Sequence, residues 1–453
     1  MKRNRKAKIL ATLGPASNSS DIIEKIFSAG ADVFRLNFSH STIEEHRKNV
    51  DIIRSLEKKY NHPTCILADL QGPKLRIGNF TNKKENLQKG ESFTFDLDNN
   101  PGNKSRVNFP HPEIYEMLTP NTFILINDGK LKMQIIEQKK DSLIAEVLND
   151  GEISDNKGVN IPDAILPISS LTSKDKSDLN KALEMGADWI ALSFIQTVDN
   201  VRELKKLVGS KASVMAKIEK PSALKNINEI IAEVDGVMIA RGDLGVELPP
   251  EKVPSIQKTI INECRKAGKP VVVATQMLES MINSSTPTRA EASDVANAIY
   301  DGSDAVMLSG ESAIGKYPLE TVTIMNKIIE TVERDKENYN ITSHHEIDSS
   351  KIINTSEAIT SAAYTISRNA DAKTIITFSV SGSTTSRMSK ERAPVQIIGI
   401  SPNIMTARKL QIMWGVHSCH HEDAHNVQEM VSIACSVAKD KKIAIPGDSV
   451  VIT

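Results

Sequence analysis

The sequence predicts an α/β protein: a (β/α)8 TIM barrel with an inserted antiparallel β domain and a C-terminal α/β domain. Three observations lead to this prediction. Eight short apolar segments alternate with helix-period segments, an Asn-, Gly- and Lys-rich stretch interrupts the series, and a polar segment separates a further α/β alternation from the rest. Continuous apolar strands separated by helices are typical of a parallel sheet covered on both faces, and a count of eight favours closure into a barrel.

The eight predicted barrel strands are short and mostly aliphatic. They are residues 8–13, 31–36, 64–69, 188–193, 213–218, 235–240, 271–275 and 304–308. Four of them carry an aspartate at or just ahead of the start of the apolar run: Asp32, Asp188, Asp235 and Asp304. We interpret these aspartates as turn residues at the amino-terminal end of barrel strands.

The inserted and C-terminal domains are predicted from changes in composition and in the pattern of apolar residues along the chain. Residues 78–163 contain alternating segments that predict antiparallel strands, at 92–98, 122–127 and 142–148. After about Lys336 the chain is polar and predicts a linker. Beyond it we expect helices at 354–370, 383–391 and 403–411, and strands at 374–379, 395–400 and 448–452. The predicted domains are therefore the barrel (1–76 and 164–345), the insert (77–163) and the C-terminal domain (346–453).

Composition and charge narrow the function classes. The 453 residues include 56 Lys plus Arg and 57 Asp plus Glu, so no overall field attracts nucleic acid or an acidic membrane. The basic start MKRNRKAKIL runs directly into a strand-like segment, which indicates neither a signal peptide nor a membrane span and makes the cytoplasm the expected location. The four cysteines form no CxxC pair, which argues against a disulfide framework or a zinc site.

Charged, amide and hydroxyl side chains lie at or just after the carboxyl ends of the predicted strands, where parallel barrels place their active sites. These residues are Arg35, Asn37, Asp69, Lys217, Glu219, Arg241, Asp243, Thr275, Ser309 and Glu311. Any one of them alone is more often a solvated or paired surface residue. Their recurrence at one end of successive strands favours a functional site.

Two carboxylates and two cations in this set indicate a type of chemistry. Glu219 and Asp243 follow adjacent strands and could hold Mg²⁺ or Mn²⁺ through oxygen ligands. Arg35 and Lys217 could then face the anionic groups of a substrate. A hard divalent cation beside an Arg and a Lys suits phosphoryl transfer, because catalysis there is mostly positioning and neutralisation of negative charge.

Six segments resemble the pyruvate kinase family, and the resemblance extends over nearly the whole chain. They are FRLNFSH (34–40), LADLQGPKLRIG (67–78), AKIEKP (216–221), MIARGDLGVELP (238–249), ATQMLESM (274–281) and AVMLSGESAIGKYP (305–318). The resemblance implies the same three-domain architecture and the transfer of the phosphoryl group of phosphoenolpyruvate to ADP, giving pyruvate and ATP in the last step of glycolysis. It also implies a homotetramer, whereas the balanced charge is what predicts no nucleic-acid or membrane partner.

The resemblance implies roles for individual residues as well. Glu219 and Asp243 would be ligands of Mg²⁺ or Mn²⁺, Lys217 would stabilise the transferring phosphoryl group and the enolate, and Arg35 would grip the phosphoryl group. The start of the GDLG turn, where free N–H groups favour an anion, would receive the substrate carboxylate through backbone groups of Ala240, Gly242 and Asp243. Thr275 would position the water that protonates the enolate.

The remaining implied site residues surround this centre. Ser309 and Glu311 would form a proton relay, although a helix N-cap with its capping acid is an equally open interpretation. Arg76 is implied as a further catalytic residue. The implied nucleotide contacts are Thr12, Pro15, Asn37, His40 and Lys174.

A monovalent cation site is also implied, with one departure. Asn37, Ser39, Asp69 and the backbone of Leu70 match the positions that surround K⁺ in the family. Potassium-dependent members usually have a Glu where this chain has Lys74, and Thr-Lys where it has Leu70 and Gln71. A Lys ammonium can supply the charge otherwise brought by K⁺, so the sequence predicts that K⁺ is not required.

Other interpretations stay open at this stage. Lys217 could form a Schiff base in a lyase or aldolase. The chain ends at Thr453 where family members usually continue, so a catalytically weakened, effector-binding homologue is the alternative function. SVSGSTTSR (379–387) could cradle an effector phosphate or simply cap a helix. HSCHHEDAH (417–425) has metal-like spacing but is interpreted as a solvated loop, and His344 and His345 as exposed linker residues.

Overall fold

The computed structural model describes residues 3–162, 164–335 and 354–453. The amino-terminal part alternates strands and helices: β1 (Lys8–Leu13), α1 (Ser20–Ala29), β2 (Val33–Asn37), α2 (Ile43–Tyr60) and β3 (Cys65–Asp69). Helix α2 begins at a capping box, in which the hydroxyl of Thr42 accepts the N–H of Glu45 and the Glu45 carboxylate accepts the N–H of Thr42. Such caps satisfy amides that the helix itself leaves free.

A group of mostly antiparallel strands follows β3. These elements are β4 (Lys84–Leu87), β5 (Ser92–Asp96), β6 (Arg106–Asn108), α3 (Pro112–Tyr115), β7 (Phe123–Ile126), β8 (Leu131–Gln138), β9 (Ser142–Val147), β10 (Gly151–Ser154) and β11 (Val159–Asn160). A six-stranded sheet in the order β11-β7-β8-β9-β5-β6 and a β10-β4 pair enclose a separate core that includes Phe93, Phe95 and Phe109. The prediction of antiparallel strands is confirmed except that β5 and β6 pair in parallel.

The chain then resumes the strand and helix alternation. The elements are α4 (Ser173–Glu184), β12 (Trp189–Leu192), α5 (Val198–Val208), β13 (Ser213–Ile218), α6 (Pro221–Lys225), α7 (Ile227–Glu233), β14 (Gly236–Ala240), α8 (Arg241–Glu247), α9 (Val253–Ala267), β15 (Val271–Ala274), α10 (Arg289–Tyr300), β16 (Ala305–Leu308), α11 (Gly310–Ala313) and α12 (Pro318–Arg334). Eight parallel strands close into a barrel in the order β1-β16-β15-β14-β13-β12-β3-β2. The predicted (β/α)8 barrel is confirmed, and β3 pairs directly with β12 across the insertion.

The four aspartates that precede barrel strands share one structural role. Each carboxylate accepts a backbone N–H near the start of the neighbouring strand: Asp32 from Ile9, Asp188 from Ile66, Asp235 from Val214 and Asp304 from Val271, at 2.8–3.0 Å. The interpretation as residues of the amino-terminal end of the barrel is confirmed, and its physical reason is the satisfaction of buried strand amides.

The C-terminal domain is a second α/β unit. Its elements are α13 (Thr355–Asn369), β17 (Thr374–Phe378), α14 (Ser383–Lys390), β18 (Gln396–Ser401), α15 (Ile404–Lys409), β19 (Val416–His420), α16 (Val427–Asp440) and β20 (Val450–Ile452). The strands form a parallel sheet in the order β19-β18-β17-β20. In the first turn of α14, the Thr385 hydroxyl is buried and bonds to the Thr377 hydroxyl, so this member of the SVSGSTTSR segment serves packing.

One sequence interpretation in this domain is corrected. HSCHHEDAH was expected to be a solvated loop, but its first four residues belong to β19, where His417 and Cys419 are buried.

Across residues 3–162, 164–335 and 354–453, no group of three or more His, Cys, Asp or Glu side chains could hold a metal ion. His344 and His345 lie outside the described residues. In the described part of the chain, none of the helices combines the length and apolar character needed to cross a membrane.

Candidate active site

The carboxylate of Asp69 orients two cations at the carboxyl end of the barrel. Asp69 ends β3 and is 1% exposed, and its Oδ2 accepts hydrogen bonds from Arg35 Nε at 2.7 Å and lies 2.6 Å from Arg35 Nη2. Its Oδ1 lies 3.3 Å from Lys217 Nζ. Burial alone would raise the pKa of Asp69, but Lys217 and Arg35 outweigh it and hold that pKa below its ordinary value. Asp69 is therefore ionised and fixes both cations.

Lys217 has two further partners. Its Nζ lies 2.9 Å from Glu219 Oε1 and donates to Ser193 Oγ at 2.8 Å, and that hydroxyl donates to the Leu70 carbonyl at 2.7 Å. Burial would lower the pKa of Lys217, but Asp69 and Glu219 outweigh it and raise that pKa above its ordinary value. A Schiff base needs a neutral amine, so the geometry argues against the lyase alternative.

Glu219 and Asp243 form a carboxylate pair with excess negative charge. Glu219 follows β13, is 1% exposed and accepts the N–H of Phe194 at 2.7 Å. Burial raises the pKa of Glu219, Lys217 lowers it, and the charge of Asp243 raises it again, to about 7. Within the described chain, the Asp243 carboxylate has neither a hydrogen-bond nor an ion-pair partner. Two such oxygen donors fit a hard divalent cation that takes its remaining ligands from substrate and water.

Thr275 stands in a strained turn after β15. Its φ is +69° and that of Gln276 is +55°, a left-handed conformation that costs a β-branched residue about 1–3 kcal/mol. Thr275 Oγ1 accepts the N–H of Gly242 at 2.7 Å, and Arg241 Nη2 donates to the Thr275 carbonyl at 2.8 Å. The N–H of Gly242 was expected to be free for a substrate carboxylate. In this structure it donates to the Thr275 hydroxyl instead, because the carboxyl ends of β14 and β15 are adjacent.

Glu311 and Ser309 follow β16. Glu311 is buried and accepts the N–H groups of Ser309 at 2.7 Å and Leu278 at 3.1 Å, and burial raises its pKa above the ordinary value. The Ser309 hydroxyl makes no cap bond to α11, and its buried oxygen has no partner among the described residues. Ser309 therefore occupies the N-cap position of α11 with Glu311 as its capping acid, but the Ser309 hydroxyl itself does not cap the helix.

The residues expected around K⁺ bond to other groups of the protein in this structure. Asn37 Oδ1 accepts the N–H of Ser39 at 3.1 Å, while Asp69 contacts the two cations and the Leu70 carbonyl accepts from Ser193. The side chain of Lys74 is exposed, and a Cβ placed on Gly158 would lie 3.2 Å from Lys74 Cε. Among the described residues no polar group contacts the Lys74 ammonium.

The residues implied for the nucleotide differ in accessibility. Pro15 and His40 are exposed in the loops after β1 and β2. Lys174, at the start of α4, is exposed, donates to the Phe38 carbonyl at 2.8 Å and pairs with Asp178 at 2.5 Å. The Thr12 hydroxyl is buried, donates to the Leu308 carbonyl and accepts from Arg35. Its direct role in this structure is therefore to support Arg35.

Arg76 lies in the chain that leads from the barrel into the inserted strands, and its contacts among the described residues are with the inserted segment. It is exposed, its Nη1 donates to the Asn156 carbonyl at 2.8 Å, and its backbone forms an isolated bridge with Gly158. The structure thus places Arg76 against the inserted strands.

Sequence reasoning missed two residues after β12. Ser193 joins Lys217 to Leu70, and the amide of Phe194 binds Glu219. Gly72 approaches the same segment at φ +70°, and a Cβ placed there would lie 2.9 Å from Ser193 Cβ. The sequence could have indicated Ser193 by its position at a strand end. The site residues were chosen mainly for their charges, however, and Ser193 and Phe194 carry none.

This geometry defines a class: a parallel-barrel enzyme that acts on an anionic substrate with a divalent cation. Comparisons with known proteins agree. A family described as "Pyruvate kinase, barrel domain" matches residues 4–322, and one described as "Pyruvate kinase, alpha/beta domain" matches residues 357–453. The chain belongs to the pyruvate kinase family.

Individual relatives match over the full chain. The pyruvate kinase of Methylorubrum extorquens is 47% identical over 452 residues, covering 100% of this chain and 94% of the relative. Pyruvate kinase 2 of Synechocystis sp. is 40% identical over 99% of this chain and 76% of the relative. The crystal structure of a pyruvate kinase from Cryptosporidium parvum superimposes with a TM-score of 0.95 at 35% identity, covering 99% of this chain and 94% of that one.

Proposed function

We infer that this chain catalyses the reaction of its family, the transfer of the phosphoryl group of phosphoenolpyruvate to ADP, giving pyruvate and ATP. The observation that carries this inference is Lys217, held as a cation between Asp69 and Glu219 beside the unpaired Asp243. The full-length matches to pyruvate kinases favour this function over that of an effector-binding homologue.

Arg35 and Lys217 would bind the phosphoryl group. The transfer breaks the bond between phosphorus and the enol oxygen, which keeps the electron pair, and forms a bond to an oxygen of the ADP β-phosphate. Negative charge spreads over the phosphoryl oxygens and the enolate during this step. Because Asp69 already orients both cations, they need little reorganisation to meet that charge.

Glu219 and Asp243 would hold Mg²⁺ or Mn²⁺. When bound, the cation neutralises phosphate and enolate charge and helps to orient the substrate. The support from this chain is the placement of the two carboxylates: the charge of Asp243 acts on the buried Glu219 and raises its pKa, and no described residue pairs with Asp243. Mn²⁺ titration followed by electron paramagnetic resonance would test the site without turnover, and Glu219→Gln should weaken binding at least tenfold.

The enolate must then take a proton at its methylene carbon. Thr275 would hold the water that donates it, and Ser309 and Glu311 would return a proton to that water. The buried Ser309 hydroxyl without a partner supports this, because such a group has a free donor and acceptor for a bound water. Ala240, Gly242 and Asp243 would receive the substrate carboxylate if the Thr275 hydroxyl gives up the Gly242 amide.

The inserted strands would act as a lid. We propose the division into a barrel (1–76 and 164–345), a lid domain (77–163) and a C-terminal domain (346–453), supported by the separate core of the inserted strands. Closure over the barrel would exclude water, which otherwise competes with ADP for the phosphoryl group. Pro15, Asn37, His40 and Lys174 would contact the nucleotide at this opening.

Independence from K⁺ is part of the proposal. Lys74 is exposed in the segment that leads into the inserted strands, and lid closure would have to bring its ammonium to the site formed by Asn37, Ser39 and Asp69. Turnover in Tris buffer free of Na⁺ should be the same with and without K⁺, at constant ionic strength. Lys74→Glu should create a dependence on K⁺. A homotetramer and a cytoplasmic location stay predictions of the resemblance and the sequence.

The function itself is tested by measuring both products. Purified protein with phosphoenolpyruvate, ADP and Mg²⁺ should form pyruvate and ATP in equal amounts, with neither product when ADP or Mg²⁺ is omitted. Binding of substrate without formation of either product would support the effector-binding alternative.

A further inference from the structure

A buried ion pair that takes no part in the proposed chemistry joins the active site to the inserted strands. Lys220 directly follows Glu219, and its Nζ lies 2.8 Å from Glu247 Oε1 and 3.1 Å from Oε2. The two side chains are 7% and 1% exposed. Burying two charges is costly unless their mutual attraction and further hydrogen bonds offset the lost hydration.

The pair has a third partner in the inserted domain. Asn160 in β11 donates from Nδ2 to Glu247 Oε1 at 3.0 Å, and Lys220 Nζ donates to the Ile161 carbonyl at 3.3 Å. β11 is hydrogen-bonded to β7 and so belongs to the six-stranded sheet. The pair is therefore bonded to the last strand of the inserted domain.

Helix α8 connects this contact to the substrate site. It runs from Arg241 to Glu247, so Gly242 and Asp243 lie in its first turn and Glu247 at its end, about 6 Å along the axis from Asp243. The β7–β8 turn also comes close to α8 beside Glu247, because a Cβ placed on Gly129 in that turn would lie 3.6 Å from Val246 Cγ1. One end of this short helix therefore bonds to β11 and lies close to the β7–β8 turn, and its other end carries the proposed carboxylate and metal contacts.

We propose that Lys220, Glu247 and Asn160 form a latch that couples the position of the inserted domain to α8. The latch fixes the substrate-binding turn in its productive position when the inserted sheet is in place. Lys220 and Glu247 are thus positioning residues, which act through α8 and the adjacent Glu219. This inference rests on the proposed function.

Loss of the latch has a specific consequence. The inserted sheet and α8 would then move independently, so water could enter while the phosphoryl group is bound. Water would take the phosphoryl group in place of ADP, giving inorganic phosphate and pyruvate without ATP. The ratio of pyruvate formed to ATP formed therefore reports the latch, whereas a merely structural role would change both products equally.

The test compares three variants with the wild type at saturating phosphoenolpyruvate, ADP and Mg²⁺. Glu247→Gln and Asn160→Ala weaken the latch, and Asn160→Ala leaves the buried ion pair intact, so it does not depend on the fold surviving a lost charge. Glu251→Gln, an exposed glutamate just after α8, is the matched control. Pyruvate, ATP and inorganic phosphate are measured in the same samples.

We expect a ratio of one for the wild type and for Glu251→Gln, and a ratio above one for both latch variants. The expected fall in kcat for Glu247→Gln is about 10²-fold, the size of effect that small misplacements at an active site produce. A ratio of one in Asn160→Ala and Glu247→Gln would overturn the latch, even if kcat fell. Absence of both products in the wild type would instead contradict the proposed function.

Discussion

Replacing Asp69 with asparagine tests the electrostatic basis of the site. Asn keeps the shape of the side chain but removes the charge that orients Arg35 and Lys217. Breaking a buried ion pair costs about 3–5 kcal/mol. The Asn oxygen can still accept one bond from Arg35, worth about 1 kcal/mol, and Lys217 keeps Glu219. The net cost of about 2–4 kcal/mol, taken in full as lost transition-state stabilisation, corresponds to a fall of about 30- to 1,000-fold in kcat/KM for phosphoenolpyruvate.

The assay measures initial rates of pyruvate formation over a range of phosphoenolpyruvate concentrations, at saturating ADP and Mg²⁺. Asp199→Asn, at a helix position where the aspartate side chain is 81% exposed, is the control and should leave kcat/KM unchanged. Circular dichroism of the Asp69→Asn variant establishes that the fold is intact. A loss of less than threefold in a folded variant would refute the argument that Asp69 holds the two cations in place.

Three further predictions concern the Thr275 turn, the buried carboxylate of Asp32 and the divalent cation. Arg241→Lys removes the guanidinium bonds that hold the strained Thr275 turn. We therefore expect kcat to fall about tenfold while the affinity for phosphoenolpyruvate stays within threefold of the wild type. Steady-state kinetics and a binding titration measure the two quantities, and a change in affinity alone would contradict the prediction. Asp32→Asn leaves Arg5 and Lys8 buried without their carboxylate and should destabilise the protein by about 3–5 kcal/mol at pH 7 in urea unfolding. Burial would raise the pKa of Asp32, but Arg5 and Lys8 hold it below its ordinary value. The difference in unfolding free energy between the wild type and Asp32→Asn is therefore fully present above about pH 4 and should shrink as the pH falls further. A difference that grew in acid would contradict this prediction. Removal of divalent cations with a chelator should abolish turnover, Mg²⁺ or Mn²⁺ should restore it, and turnover in excess chelator would exclude the metal role of Glu219.

The sequence predicted the barrel well because its signals are local. Each of the eight predicted strands lies within two residues of an observed one, since short apolar runs and helix periods are set by neighbouring residues. The position of Glu219 and Asp243 after adjacent strands followed from the same order. The parallel pairing of β5 with β6 and the burial of His417 were not foreseen, because strand partners are chosen by packing between distant segments.

The sequence indicated which residues belong to the site better than it indicated the hydrogen bonds between them. The sequence placed Lys217 and Asp69 at strand ends, but the bond from Lys217 to Ser193 requires the exact register of β12 beside β13. The bond between the Thr275 hydroxyl and the Gly242 amide likewise depends on a left-handed turn in a β-branched residue, which local propensity disfavours. Strain of this kind is expected at functional sites, where local rules are overridden.

The most direct test of the central claim is the rate of phosphoryl transfer in Lys217→Met beside Lys211→Met. Both changes remove a lysine near β13, but Lys211 is exposed and precedes the strand, whereas Lys217 lies between Asp69 and Glu219. With phosphoenolpyruvate, ADP and Mg²⁺, we expect Lys211→Met to match the wild type and Lys217→Met to lose at least 10³-fold in kcat while it still binds phosphoenolpyruvate. Turnover of Lys217→Met within tenfold of the wild type would contradict the assignment of phosphoryl transfer to this lysine.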